Sequence, residues 1–173
     1  MTIVSRIGSA ALLLVLASAS AARAQPAAIP TDEDHAVVFE LGWTGDWSHD
    51  EGVQAKGATF AFEVTPIEHW LELEVGVAAI RHDGATEVPI DVLFKKPWSF
   101  SPQFEFMIGV GPELIHVAGQ NPQTYWGLSS VLDFMFWPTK NVGWYLEPGY
   151  EVTFHDSAAH HGLAMAAGLI IGR

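Results

Sequence analysis

Short runs of histidine, aspartate and serine are the residues of this sequence best suited to chemistry. They are His49–Asp50, His82–Asp83, His155–Asp156, Ser157, His160 and His161. Imidazole nitrogens and carboxylate oxygens bind zinc, copper and nickel, so loop tips that meet could hold one of these metals. Polar loop tips also carry these residues simply because they lie in water, and no HExxH spacing is present. We expect no cofactor. The alternative is a metal- or ligand-binding surface protein, with its site at His49, His82, His155, His160 and His161.

The charge and the N-terminal residues limit the possible partners and the location. The chain has 173 residues, with 20 Asp and Glu against 8 Lys and Arg, and no cysteine. This excess of negative charge disfavours phosphate binding, so we expect no nucleic-acid partner. Arg6 precedes an apolar run that ends Ala22-Arg23-Ala24, which is typical of a secretory signal peptide. We predict a signal peptide over 1–24, a flexible lead-in over 25–35 and one domain over 36–173.

That domain shows two-residue alternation in eight segments. They cover about 36–45, 55–65, 70–81, 86–96, 103–117, 124–137, 142–155 and 161–172. Each has roughly the 9 to 11 residues, or slightly more, that a tilted strand needs to cross a bilayer. Short connectors rich in turn residues join them. An even number of strands joined by hairpins predicts an all-β fold, a closed antiparallel up-and-down barrel of eight transmembrane strands.

The two faces of these strands differ in a way that indicates which face meets lipid. In the third segment, Leu71, Leu73, Val75 and Val77 alternate with Glu72, Glu74, Gly76 and Ala78. A soluble lipocalin-like barrel would alternate too, with its apolar face inward. Small and acidic residues suit the crowded lumen of an eight-stranded barrel better than a solvent surface. Tryptophans near segment ends favour a membrane barrel, as interfacial girdles. These are Trp43, Trp70, Trp98, Trp126, Trp137 and Trp144.

Alternation assigns many carboxylates to the lumen. They are Glu40, Glu63, Glu72, Glu74, Asp91, Glu105, Asp133, Glu147 and Glu151. Lys95 is the clear basic residue assigned to the same face. Because like charges repel at close quarters, we expect these groups to share protons or to be neutralised by cations and water. A filled polar core is the main prediction. A cation-conducting path is the lesser one, since side chains fill the interior of eight-stranded barrels.

The last third of the chain carries a family resemblance. Residues 132–154, LDFMFWPTKNVGWYLEPGYEVTF, are followed by GLAMAAGLIIG. This stretch resembles the last hairpin and closing strand of small outer-membrane β-barrels of Gram-negative bacteria. That class includes the transmembrane domain of outer-membrane protein A and an uncharacterised outer membrane protein β-barrel domain family. The resemblance implies a monomer in the outer membrane with a structural or surface role and no catalysis. It implies outer-membrane lipids, the barrel assembly machinery and periplasmic chaperones as partners.

A different resemblance supplies the enzymatic alternative. Residues two apart share one face of a strand, so His155 and Ser157 could act together. Their spacing resembles the His-x-Ser motif of outer-membrane lipid A deacylases, in which the histidine is the base and the serine the nucleophile. Ala158 stands where that motif continues with asparagine, and residues 162–173 contain no acid to orient the histidine. The alternative function is therefore a lipid A esterase that uses His155 and Ser157.

Overall fold

A computed structural model describes residues 36–48, 54–82, 84–119, 122–155 and 158–172, and the predicted signal peptide and lead-in lie outside them. The described residues form eight strands. These are β1 (Val37–Ser48), β2 (Gln54–Ile67), β3 (Leu71–His82), β4 (Ala85–Ser101), β5 (Phe104–Ala118), β6 (Gln123–Phe136), β7 (Val142–His155) and β8 (Ala158–Gly172). None of the described residues forms a helix long and apolar enough to cross a membrane.

The strands close into a barrel. Each pairs antiparallel with the next, and β1 pairs with β8, so every strand has two neighbours. Closure satisfies the backbone groups that an open sheet would leave unpaired at its edges. The predicted closed, all-β, eight-stranded antiparallel barrel is confirmed. We call the end that holds the start of β1 and the end of β8 the terminal end, and the opposite end the loop end.

The outer surface is apolar. Trp43 is 68% exposed and Leu169 is 60% exposed, and most outward positions along the strands carry large apolar side chains. Aromatic rings stack across neighbouring strands near the terminal end, with centroids 5.8 Å apart for Trp98 and Phe106 and 4.1 Å apart for Phe136 and Trp144. An exposed apolar surface that encircles a barrel is typical of one that lies in lipid.

One tryptophan differs from the predicted girdle. Trp137 is buried, because it continues the inward face of β6 after Met135. It joins an apolar layer inside the terminal end of the lumen. The layer consists of Val38, Met107, Met135, Trp137, Tyr145 and Ile170. Glycine makes room for it, since a Cβ on Gly42 would lie 2.5 Å from the Tyr145 hydroxyl.

Candidate functional site

The lumen holds most of the predicted carboxylates. Glu40, Glu63, Glu72, Glu74 and Asp133 are buried. Asp91, Glu147 and Glu151 line a cavity nearer the loop end. Glu105 is half-buried near the terminal end, where its Oε1 accepts a hydrogen bond of 3.2 Å from the Ser99 hydroxyl. Apart from Glu105, most of these carboxylates therefore occupy two levels of one interior.

A single ammonium group lies at the centre of the deeper level. Lys95 is the one lysine or arginine buried among the described residues, and its side chain is fully inaccessible to solvent. Its Nζ donates hydrogen bonds of 2.8 Å to Asp133 Oδ2 and 3.0 Å to Glu147 Oε2. It also pairs with Glu63 Oε2 at 3.4 Å and with Glu74 Oε2. We call these five residues, Lys95, Glu63, Glu74, Asp133 and Glu147, the Lys95 cluster.

Strand register explains why the cluster forms here. Glu63 of β2 lies directly opposite Glu74 of β3, a like-charge pair that is unfavourable without a counter-ion. Lys95 of β4 supplies that charge. Gly109, its cross-strand partner on β5, leaves space for the lysine stem, because a Cβ there would be 2.9 Å from Lys95 Cγ. The lysine thus reaches the interior without displacing backbone.

The deeper level also has the donor set of a metal site. Carboxylate oxygens of Glu40, Glu63, Glu74 and Asp133 lie within 4.8 Å of one another. Such oxygens suit a hard cation. However, the Lys95 ammonium already contacts three of these four carboxylates. The chain itself therefore supplies the cation at this position.

A second group of carboxylates lies on the loop side of the Lys95 cluster. They line a cavity of about 60 Å³ together with small, hydroxyl and apolar residues, and we call this cavity the acidic chamber. Its carboxylates are Asp46, Asp91, Glu113, Glu147 and Glu151. No Lys, Arg or His of the described ranges lines it. Glu147 belongs to both levels, because its Oε2 accepts the hydrogen bond from Lys95.

The sequence prediction missed two members of the chamber. Asp46 lies one residue beyond the predicted end of the first segment, whereas β1 continues to Ser48. Glu113 has the same parity as Glu105 on β5, and this alternation would have placed it in the lumen. Asp46 was missed because the predicted first strand ended one residue too early, and Glu113 because the alternation along the fifth strand was not followed to that residue.

The candidate histidines do not form a site within the described residues. His155 Nε2 is hydrogen bonded to Gln123 Oε1, and His161 Nδ1 lies 2.7 Å from the Tyr150 hydroxyl. His160 neighbours His161 on one strand, so the two project to opposite faces. The one described group of three or more convergent ligating side chains contains no histidine. His49, Asp50, Asp83, Asp156, Ser157 and the side chain of His82 lie outside what the structure describes. The histidine metal site and the esterase therefore stay predictions.

Solved structures show which proteins share this fold. No protein-family model matches the chain, and no curated protein matches its sequence. Neisserial surface protein A matches with a TM-score of 0.60 and 14% identity, over 79% of this chain and 96% of that one. The N-terminal β-barrel domain of Pseudomonas aeruginosa OprF matches at 0.55 and 10% identity, over 79% and 98%. Ail of Yersinia pestis, crystallised with the heparin analogue sucrose octasulfate, matches at 0.51 and 11% identity, over 78% and 97%. The fold is that of small Gram-negative outer-membrane barrels, as the sequence resemblance predicted.

Proposed function

We propose that the protein is an integral outer-membrane barrel with a structural or surface role, no catalysis and a closed lumen. The observation that carries this proposal is the contrast between the two faces of the strands. Leu41 and Trp43 are largely exposed on the outside, whereas Glu40, between Val38 and Gly42 on the other face, is buried. A barrel in water would show the reverse arrangement, so this one is suited to lipid.

Closure of the lumen is the second part of the proposal. The apolar layer at the terminal end includes Met107, Met135 and Ile170, all inaccessible to solvent. The Lys95 cluster fills the next level and contains a lysine that is also inaccessible. Eight strands enclose a space that side chains can fill. We infer that ions do not pass through the folded barrel at a steady rate.

The partners follow from the same surfaces. Lipids of the outer membrane would cover the apolar band, and assembly would need periplasmic chaperones and the barrel assembly machinery.

Two measurements test the proposal. The protein expressed in a Gram-negative host should fractionate with outer membranes, and its gel mobility should change on boiling, as expected of a closed barrel. Recovery as a soluble periplasmic protein would contradict the membrane location. In planar lipid bilayers the purified protein should give no steady conductance, and a stable cation current would contradict the closed lumen.

A further inference from the structure

We propose that the acidic chamber binds one divalent cation, with Ca²⁺ as the best match. The proposal goes beyond a structural role, because it gives the lumen a ligand. It concerns the level on the loop side of the Lys95 cluster, where no Lys, Arg or His of the described residues lines the cavity.

The charge of the chamber is the first argument. Five carboxylates from β1, β4, β5 and β7 line about 60 Å³, and no basic residue of the described part of the chain lines it with them. The Lys95 ammonium has three protons to donate, and it is bound by the carboxylates of its own cluster. Because no basic residue of the described ranges lines the chamber, a cation from solution would neutralise its carboxylates.

Glu113 provides the second, independent argument. It is only 4% exposed, it lines the chamber, and its Oε2 has no hydrogen-bond partner among the described protein groups. A buried carboxylate oxygen without a partner is costly and calls for a missing ligand. Gly127, opposite on β6, leaves room for this carboxylate, since a Cβ there would lie 3.0 Å from Oε2. The chamber therefore has space for the Glu113 carboxylate but no described protein group that bonds to its Oε2.

The donor types select the class of ion. The chamber offers carboxylates and the hydroxyl groups of Thr44, Thr59 and Ser129, without imidazole or thiol groups from described residues. Oxygen donors favour Ca²⁺ and Mg²⁺ over zinc or copper. Only the deeper level has three or more described carboxylates with oxygens within 4.8 Å of one another, so waters would complete the shell of an ion in the wider chamber. Such a spacing suits the larger, more flexible coordination shell of Ca²⁺ better than the strict octahedron of Mg²⁺. The cavity also has room for a few waters at about 15 Å³ each.

Calorimetric titration of CaCl₂ into the full chain, folded in detergent micelles, tests the proposal. The buffer should contain about 0.15 M NaCl, which screens exposed charges beyond about 8 Å. We expect about one equivalent of Ca²⁺ to bind saturably, and Mg²⁺ to bind at least tenfold more weakly. Glu113→Gln should weaken Ca²⁺ binding at least tenfold. The matched control is Glu105→Gln, on the same strand and face but outside the chamber lining, and its affinity should stay within twofold of that of the parent protein.

Three outcomes would overturn the proposal. They are the absence of saturable Ca²⁺ binding, equal affinity in the parent and Glu113→Gln proteins, and equal weakening by Glu113→Gln and Glu105→Gln, which would indicate only diffuse charge attraction. Heat-modifiable mobility should be checked for each variant. If Glu113→Gln does not fold, Glu151→Gln takes its place, because Glu151 lines the same chamber from β7.

Discussion

Replacing Lys95 with methionine would remove the positive charge of the Lys95 cluster while keeping an unbranched side chain. The four carboxylates that contact the ammonium would remain in the interior, facing one another without a counter-ion. We therefore expect Lys95→Met to lower the free energy of unfolding strongly, although the lysine lies far from any loop.

The size of this loss follows from the contact distances. At 2.8, 3.0 and 3.4 Å, each pair gains about 5–6 kcal/mol of attraction in an effective dielectric of about 20. Desolvation of the ions and repulsion among the carboxylates offset most of that attraction. The net loss should match that seen when one partner of a buried ion pair is removed, about 3–5 kcal/mol.

Equilibrium unfolding in denaturant, followed by tryptophan fluorescence of the barrel in detergent micelles, measures the loss. Lys96→Met is the matched control, since Lys96 is the next residue but points outward. Its Nζ lies 5.4 Å from the centroid of the Trp98 ring and donates hydrogen bonds to the carbonyls of His69 and Pro97. Contacts of this kind each contribute about 0.5–1 kcal/mol and leave no unpaired charge in the interior when they are lost. If Lys95→Met costs no more than Lys96→Met, the cluster does not stabilise the fold as argued. Adding Asp133→Asn to Lys95→Met should recover part of the stability, because fewer unpaired charges remain.

Two further predictions concern the outer wall and the lumen packing. Val110 faces outward near the middle of β5, so Val110→Arg should cost about 2–4 kcal/mol of folding free energy in lipid vesicles. Val142→Arg, at the terminal end of β7, should cost about 0–1 kcal/mol. Equal costs at the two positions would contradict the membrane orientation. Gly42→Ala should lower the free energy of unfolding by about 1–3 kcal/mol, because its Cβ would overlap the Ala167 carbonyl and the Tyr145 hydroxyl. The matched control is Gly162→Ala, because a Cβ there would have no neighbour closer than 3.8 Å. In the same unfolding assay it should change stability by less than about 0.5 kcal/mol.

The barrel could be predicted because alternation is a local property of each strand. Leu71 and Glu72 are neighbours in sequence, and their opposite positions follow from the pleat alone. The strand boundaries were less certain, since β1 runs to Ser48 and thereby brings Asp46 into the lumen. A polar residue at a strand end is compatible with both a strand and a loop, so composition could not decide between them.

The arrangement of the candidate site could not be predicted, because it depends on register. Alternation assigns Lys95 and Asp133 to the same interior, but only the stagger of the strands brings Nζ within 2.8 Å of Oδ2 across 38 residues. Register also decides that Glu113 of β5 pairs with Gly127 of β6, which leaves space for the buried carboxylate of Glu113. Sequence patterns give the face of each residue, whereas its height within the barrel comes from pairing with neighbouring strands.

The Lys95 cluster also has a consequence for the order in which the barrel is completed. Its members come from β2, β3, β4, β6 and β7, so a chain folded only as far as β5 would hold the ammonium and two of its carboxylates, Glu63 and Glu74. Asp133 and Glu147 arrive with the later hairpin and bring the last contacts to Nζ. Part of the ion-pairing energy is therefore gained only when the two halves of the wall meet, and the lysine acts as a non-covalent cross-link that favours the finished cylinder over an open, partly inserted sheet.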